Sequence, residues 1–190
     1  AINTVTIGED GSLSGTNSDA YGFIENLNNN SSWSASSGPA VILGAGGAAR
    51  AVAVALSEAG VGQIRIINRT IERAETLIND TRIENAVTES WEHRHEALEG
   101  AGLLVNSTNL GMAGCEPLDI NLSKLPRSAV VNDIVYAPLN TELLETSKKR
   151  GNQTVDGLGM LLYQAKVGFH LWFGVNPEVT SDQRAYILEH

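Results

Sequence analysis

Apolar residues follow one pattern beyond residue 39 and a different one before it. Beyond it, short apolar runs alternate with longer segments in which apolar positions recur at helical spacing. This pattern predicts strands at 40–43, 63–67, about 86–87, 103–106, 129–135 and 154–155. It predicts helices at 48–59, 71–79, through 97–98, 141–150, 158–173 and 181–188. Strands and helices that alternate in this way predict a parallel sheet of about six strands with helices on both faces.

The first 38 residues lack that alternation. Short strands are predicted at 4–7 and 12–15, on either side of a turn that contains two glycines. Apolar spacing then predicts a helix at 19–27, and the Ser-rich polar stretch 28–38 predicts a loop or linker. This part of the chain is therefore expected to lie outside the alternating sheet.

The two ends of the sequence have the character of cuts. The chain opens at Ala1, without a methionine, directly in a strand-like run. If that end is a cut, we expect a segment upstream. The closing residues 188–190 resemble the start of an expression tag, and a natural terminus is the alternative.

Composition and charge limit the classes of function. With 42% hydrophobic and 18% charged residues, the 190-residue chain has an ordinary globular composition. A net charge of −9 argues against nucleic-acid binding. Cys115 is the single cysteine and the four histidines lack ligand spacing, so we expect neither a disulfide nor a metal site. No apolar run approaches the roughly 20 residues that span a bilayer, and we expect a cytoplasmic enzyme.

A glycine-rich loop follows the predicted strand at 40–43 and opens the next helix. The loop has the G-x-G-x-x-A form of the dinucleotide fingerprint, and its residues are Gly44, Ala45, Gly46, Gly47, Ala48 and Ala49. In that motif the first glycine makes the turn and the second lets the backbone approach a pyrophosphate. The loop therefore predicts a nucleotide site in a doubly wound parallel sheet, a three-layer α/β/α Rossmann domain. A tight turn without a ligand is the alternative.

The end of the second strand indicates which nucleotide binds. An acidic residue usually lies there when the cofactor is NAD, because it accepts a hydrogen bond from the ribose 2′-hydroxyl. This chain has Asn68, Arg69 and Thr70 instead, with Arg73 one helical turn further on. Guanidinium groups and neutral hydrogen bonders suit a 2′-phosphate, so NADP is the predicted cofactor. A solvated basic turn is the alternative.

Seven motifs in order resemble those of the shikimate dehydrogenase family, from Asn3 to about Tyr186. They are Asn3-Thr4-Val5; Gly15-Thr16-Asn17-Ser18-Asp19 with Gly22; the glycine loop; Asn68-Arg69-Thr70; Asn106-Ser107-Thr108 with Gly111-Met112; Asp133 to Pro138; and Asp156 to Leu161 with Gln164-Ala165. The resemblance implies reversible hydride transfer between NADPH and 3-dehydroshikimate, giving shikimate. Ser18 and Ser107 are mild departures, because the family usually has Thr and Ala there.

The resemblance implies roles for particular side chains. Asp19 matches the family's catalytic aspartate, which pairs with a lysine and touches the hydroxyl that is oxidised. A carboxylate in that place can orient the hydroxyl or move its proton, and a helix N-cap is its alternative role. Asn3, Tyr136 and Gln164 match substrate-contacting positions, with a satisfied core amide as the alternative for Gln164.

The nicotinamide side and the proton partner complete the implied site. Thr108, Ile134 and Gly157 match positions near the nicotinamide, at the carboxyl ends of strands. Met160 packs either there or in the core. The family's catalytic lysine and its contacts to the substrate carboxylate lie in a preceding domain. None of the four lysines of this sequence lies in a matching motif; they are Lys124, Lys148, Lys149 and Lys166.

These inferences predict how the chain is organised. Residues 1–18 are expected to be a remnant of a substrate-binding domain, 19–156 the NADP-binding domain, 157–187 helices that pack towards the substrate domain, and 188–190 tag residues. By themselves the 190 residues are expected to bind NADPH, to be catalytically silent, and to dimerise or aggregate through the apolar helix at 158–173. Preference for quinate, and a binding module without activity, are the alternatives.

Overall fold

The computed structural model describes residues 2–189 and confirms the predicted doubly wound α/β architecture. The strands are β1 (Thr4–Ile7), β2 (Leu13–Thr16), β3 (Ala40–Leu43), β4 (Ile64–Asn68), β5 (Ala86–Ser90), β6 (Leu103–Asn106), β7 (Val130–Asp133) and β8 (Gln153–Val155). The α-helices are α1 (Asp19–Asn30), α2 (Gly47–Glu58), α3 (Ile71–Thr81), α4 (Glu142–Arg150), α5 (Leu158–Phe173) and α6 (Ser181–Glu189).

The last six strands form one parallel sheet in the order β5-β4-β3-β6-β7-β8. The chain therefore enters the sheet in the middle, moves to one edge and then crosses to the other. β3 and β6 are buried along their whole length, which explains why their sequences are continuous apolar runs. The change of direction lies between these two strands, where sheets of this kind bind ligands at the carboxyl ends.

Two apolar clusters cover the opposite faces of this sheet. Because side chains alternate along a strand, Ile42 of β3 joins one cluster and Leu43 joins the other. The first cluster also contains Phe23 of α1 and Leu56 of α2, and the second contains Leu144 of α4. Each such side chain, when fully buried, stabilises the fold by about 1.5–3 kcal/mol. The helices on either side and the sheet between them form the three predicted layers.

The segment between β5 and β6 differs from its prediction. The helix predicted through 97–98 is present only as a three-residue 3-10 helix, Glu96–Leu98, and another short 3-10 helix, Trp91–His93, precedes it. Only Ala97 and Leu98 are buried in these turns. Two neighbouring apolar residues cannot supply the recurring stripe that holds an amphipathic helix against a core, so the chain crosses this edge in short turns.

The two ends of the described chain lie outside the sheet. β1 and β2 form a separate antiparallel hairpin, and α5 packs against α1 and contacts β1. The Trp172 indole N–H of α5 donates to the Val5 carbonyl at 3.1 Å. Helix α6 contains no buried residue. We call the hairpin together with α5 and α6 the outer unit.

Candidate active site

A cavity of about 180 Å³ lies at the carboxyl edge of the sheet, where β3, β4 and β6 end. Parallel strands present their carboxyl ends at one edge, so loops from separate parts of the sequence converge there. The cavity is lined by Gly44, Ala45, Gly46, Asn68, Arg69, Trp91, Ser107, Thr108, Asn109 and Leu110. It therefore brings together the glycine loop, the turn after β4 and the Asn-Ser-Thr motif after β6.

The glycine loop leaves open space above the first turn of α2. Gly44 has a φ of 108°, a conformation that glycine adopts readily, and a Cβ there would lie 2.8 Å from the Ser107 hydroxyl oxygen. A Cβ on Gly46 or Gly47 would meet no atom within 4 Å. Helix α2 begins at Gly47 without a side-chain cap, and Ala48 follows in its first turn. The first N–H groups of this helix can therefore face an anion.

The turn after β4 presents two guanidinium groups to solvent. Arg69 and Arg73 are exposed, and neither forms an ion pair with another residue in 2–189. The Asn68 amide donates to the Thr70 carbonyl oxygen at 2.8 Å, which holds the turn in shape. Thr70 occupies the N-cap position of α3, and its side chain makes no cap bond. Two uncommitted guanidinium groups beside a helix N-terminus suit a phosphate.

A buried hydrogen-bond network supports the Thr108 side of the cavity. Asn106 Oδ1 accepts from the Thr108 N–H at 3.1 Å and from its hydroxyl at 2.7 Å. Asn106 Nδ2 donates to Asp133 Oδ1 at 2.9 Å, and the Thr141 hydroxyl donates to Asp133 Oδ2 at 2.6 Å. An ionised carboxylate can only accept, so Asp133 determines which end of the Asn106 amide faces Thr108.

The Asp133 carboxyl is fully buried. Burial raises the pKa of this group to about 6, while hydrogen bonds from Thr141, the Val135 N–H and Asn106 act in the opposite direction. Removal from water outweighs these bonds because the charged form loses more hydration than they return. Asp133 is thus a titratable group directly behind the wall of the cavity.

Residues far apart in sequence meet at the start of α1. Asn3 Nδ2 donates to Asp19 Oδ1 at 2.8 Å and lies 3.5 Å from Gln164 Oε1. The Ser18 hydroxyl lies 3.0 Å from Gln164 Oε1 and 3.2 Å from Asn3 Oδ1, and can donate to either. We call these four residues the polar cluster. Ser18 occupies the N-cap position and Asp19 is the first residue of the helix, so the alternative of Asp19 as the N-cap is wrong.

A close contact between α1 and α5 holds the polar cluster together. A Cβ on Gly22 would lie 2.6 Å from the Met160 carbonyl oxygen and 2.8 Å from Gln164 Cβ. Real Cβ atoms do not approach backbone so closely, so any side chain at Gly22 would push the helices apart. Gln164 reaches Ser18 because the facing helix carries no side chain at this point.

The remaining predicted residues lie in three different places. Gly157 lies directly against the Ile134 carbonyl, at the carboxyl edge of the sheet. Met160 is 8% exposed and belongs to the first apolar cluster, which agrees with its alternative role in the core. Tyr136 is half exposed, and among the bonds within 2–189 none joins it to the polar cluster. The structure thus brings Ile134 and Gly157 together.

Trp91 lines the cavity, although the sequence analysis did not select it. It follows β5 directly, and the sheet register pairs Ser90 of β5 with Asn68 of β4. Trp91 therefore lies one residue beyond the strand position opposite the basic turn. An aromatic residue at the carboxyl end of a strand beside the nucleotide turn was the available signal.

Side chains suited to other functions are dispersed over the described residues. Between residues 2 and 189, no group of three His, Cys, Asp or Glu side chains is placed to hold a metal ion. The free Cys115 thiol is exposed. None of the helices in this range has both the length and the apolar character required to cross a membrane.

Known protein sequences match nearly the whole chain. The family model described as Shikimate / quinate 5-dehydrogenase matches residues 27–137, and that of the Shikimate 5'-dehydrogenase C-terminal domain matches 157–184. The shikimate dehydrogenase (NADP(+)) of Paramagnetospirillum magneticum is 53% identical over 189 residues, which cover 99% of this chain and 68% of the relative. The enzyme of the same name from Dinoroseobacter shibae is 52% identical with the same coverage.

Solved structures share the fold over the same length. Quinate dehydrogenase from Corynebacterium glutamicum in complex with NAD has a TM-score of 0.90 at 31% identity and covers 100% of this chain and 68% of its own. 5-Ketofructose reductase from Gluconobacter has a TM-score of 0.84 at 34% identity with the same coverage. Shikimate 5-dehydrogenase from Thermus thermophilus, in complex with NADP(H) and shikimate, has a TM-score of 0.78 at 39% identity and covers 94% and 64%. As its motifs predict, the chain belongs to the shikimate/quinate dehydrogenase family of oxidoreductases.

Proposed function

We propose that this protein is an NADP-dependent shikimate dehydrogenase, which interconverts shikimate and 3-dehydroshikimate. One observation carries the proposal: α5 connects the cofactor edge with the polar cluster. It begins beside Gly157, against Ile134 at the carboxyl edge, and presents Gln164 to Asn3 and Ser18. Gln164 lies about 9 Å further along the helix axis than Leu158 at 1.5 Å per residue, a separation that suits a nicotinamide and a small ring placed side by side.

The residues present fit NADP in three places. Gly44, Ala45, Gly46, Gly47 and Ala48 would hold the pyrophosphate, because the loop leaves open space above the N–H groups of α2. The 2′-phosphate would be held by Asn68, Arg69, Thr70 and Arg73. The nicotinamide would lie beside Thr108, Ile134 and Gly157, with Met160 packed behind them. When bound, the cofactor accepts or donates the hydride.

The polar cluster and Tyr136 would bind the substrate. Asn3, Gln164 and Tyr136 have amide and phenol groups that can hydrogen-bond the hydroxyls of a small ring. Asp19 is half-buried and bonded to Asn3 on one oxygen, which leaves acceptor capacity for a substrate hydroxyl. Its carboxylate would orient the reacting hydroxyl and take part in moving its proton.

The proton partner of Asp19 is expected outside these residues. Within the described part of the chain, no lysine is hydrogen-bonded to Asp19, whereas Lys148 bonds Asn140 and Lys124 lies near Glu99. We propose that 1–18 and 157–187 face a substrate domain that supplies the lysine, and that 19–156 binds NADP. On this account the 190 residues bind NADPH by themselves without turning over shikimate.

Assays with two cofactors and two substrates test the proposal. Initial rates are measured with NADP or NAD, and with shikimate or quinate, on the complete gene product and on the 190 residues side by side. We expect kcat/KM for the complete product to be highest with NADP and shikimate. Higher kcat/KM with quinate would favour the alternative named above, for which the quinate dehydrogenase from Corynebacterium glutamicum is a structural precedent. No oxidation of either substrate would overturn the proposal.

Three further expectations belong to this proposal. Its substrate partners are shikimate and 3-dehydroshikimate, and the net charge of −9 argues against nucleic acid as a partner. A cytoplasmic location would give the enzyme access to NADPH. A homodimer through the exposed apolar residues of α5 is proposed as the assembly, and its test is given in the Discussion.

A further inference from the structure

Trp91 forms part of the cavity wall next to the residues assigned to the 2′-phosphate. It is partly buried, and it also packs against the second apolar cluster. Asn68 and Arg69 line the same cavity. The parallel register of β4 with β5, which pairs Asn68 with Ser90, fixes the backbone of Trp91 beside this turn.

The Trp91 indole is contacted by Arg94, an arginine that is itself hydrogen-bonded and ion-paired to neighbouring groups. The Arg94 guanidinium carbon lies 5.3 Å from the centroid of the Trp91 ring, within the range of a cation–π contact. Arg94 also donates to the Trp91 carbonyl at 3.0 Å and to the Asp119 carbonyl at 2.8 Å, and it forms an ion pair with the Asp119 carboxylate at 2.6 Å. The Arg94 side chain is only 14% exposed, so it supports the indole with a guanidinium group that is already bonded on its other side.

The covalent structure of the cofactor places its base near this ring. The 2′-phosphate and the adenine of NADP are attached to the same ribose. If Asn68 and Arg69 hold the phosphate, the adenine must lie against a neighbouring wall of the cavity. Trp91 is the one aromatic side chain in that wall among the described residues. Purine bases stack favourably on aromatic rings because both present π-faces.

We infer that Trp91 is the stacking platform for the adenine of NADP, held in position by Arg94 and Asp119. The inference rests on the proposed function, because it requires the cavity to bind NADP. Trp91 would then contribute affinity without distinguishing NADP from NAD, since both carry adenine. Arg69 would supply the discrimination, because only NADP carries the 2′-phosphate. The two residues therefore have separable effects on binding.

Calorimetric titration with 2′,5′-ADP tests the inference, because this probe has the adenine and the 2′-phosphate but no nicotinamide. We expect Trp91→Ala to weaken its binding by roughly 5- to 100-fold, the usual effect of losing one base–aromatic stack. Trp172→Ala is the matched control, since it removes an exposed tryptophan from α5, and it should leave the affinity unchanged. Trp91→Phe keeps an aromatic ring and should bind within a few-fold of the wild type.

Tryptophan fluorescence provides a second readout that does not depend on the stability of the alanine variant. Trp33 is buried beside α1 and Trp172 lies in the outer unit, so Trp91 is the one tryptophan in the cavity. Binding of 2′,5′-ADP should quench the emission of the wild type and of Trp172→Phe, and should not quench Trp91→Phe. Equal quenching in Trp91→Phe, or wild-type affinity in a folded Trp91→Ala variant, would overturn the inference. A wild type that binds no 2′,5′-ADP would instead overturn the proposed function.

Discussion

The sheet differs from the hairpin and α6 of the outer unit in how its residues are packed. β3 and β6 are buried throughout and have apolar clusters on both faces. β2 is exposed at every position, and α6 buries none of its residues. The sheet is stabilised by apolar packing that involves most of its residues. The hairpin is attached by a few polar contacts, such as the bond from Trp172 to Val5.

This contrast separates the residues that are expected to stabilise the fold from those that are expected to act in turnover. Side chains behind the carboxyl edge, such as Asp133 and Asn106, are enclosed and fully bonded, so their substitution should change stability or the shape of the cavity. The polar cluster lies at the open boundary between the sheet and the outer unit. Its substitution should change turnover and leave the sheet intact.

The largest effect is expected at Asp19. Asp19→Asn keeps the Oδ1 acceptor for the Asn3 amide, so the fold should be preserved. If Asp19 takes part in the proton transfer, as proposed, loss of its carboxylate should lower kcat of the complete gene product by about 100-fold or more. Calorimetry with 2′,5′-ADP should give unchanged affinity. If Asp19→Asn had unchanged turnover and a lower Tm, Asp19 would have a structural role. That outcome would contradict the division between residues for stability and residues for turnover.

Among the enclosed residues behind the carboxyl edge, Asp133 can be tested by the pH dependence of the protein's stability. A raised folded-state pKa means that the folded protein holds this proton more tightly than the unfolded chain. Its contribution to stability is complete below about pH 4 and is lost as pH rises to about 6, the pKa of the folded state. Asp133→Asn cannot ionise, and Thr141 can reverse its bond to accept from the new amide.

We therefore expect Asp133→Asn to gain stability relative to the wild type as pH rises. Between pH 4 and pH 7 the gain should be about 2 kcal/mol, because the full shift from the ordinary value to about 6 corresponds to about 3 kcal/mol at 1.36 kcal/mol per pKa unit and part of it is already present at pH 4. Urea unfolding at both pH values measures it. Asp10 is an exposed carboxyl whose pKa is lowered by hydrogen bonds with Ser12, so Asp10→Asn should show no such gain. If the difference in unfolding free energy between Asp133→Asn and the wild type did not change with pH, the pKa of Asp133 would not be raised in the folded protein.

Arg69 lies at the cofactor edge of the sheet. Its substitution should weaken NADP binding and leave the stability of the fold unchanged. Arg69→Ala should weaken NADP binding by about 1.5–3 kcal/mol, the range for a hydrogen bond to a charged group. NAD binding should change little, because NAD lacks the 2′-phosphate. Lys149→Ala is the control for overall charge, since Lys149 is an exposed cation of α4. Equal losses for both cofactors would refute the phosphate assignment.

The sequence predicted the sheet more completely than the sites around it. The strands at 40–43 and 103–106 were predicted to the residue, because a strand buried on both faces must be apolar throughout. The glycine loop was predicted because its turn and the start of α2 directly after it are local features of the sequence. The helix predicted through 97–98 is only a three-residue 3-10 helix, because a single apolar pair does not supply the stripe that holds a longer helix against the core.

The polar cluster and Trp91 depend on contacts that no local pattern contains. Asn3 and Gln164 are 161 positions apart, and their meeting depends on the missing side chain at Gly22. Family resemblance identified both residues, although spacing alone could not have done so. Neither family resemblance nor residue spacing indicated Trp91, because its position follows from the register of β5 with β4. Sites made by packing between distant segments therefore require the structure.

The smallest effect on stability is expected at the apolar surface of the outer unit. Phe173 and Trp172 are 63% and 58% exposed at the end of α5, and exposed apolar patches favour association. Phe173→Lys should lower the free energy of unfolding by about 1 kcal/mol or less, because its main loss is the ring contact with Phe169, whose centroid lies 4.7 Å away. It should nevertheless lower the mass of the 190 residues measured by light scattering, because a charge at the contact opposes self-association. Val87 is an exposed apolar residue of the edge strand β5, so Val87→Lys is the matched control and should leave the mass unchanged. If both variants kept the mass of the wild type, the outer unit would not be the surface through which this chain associates.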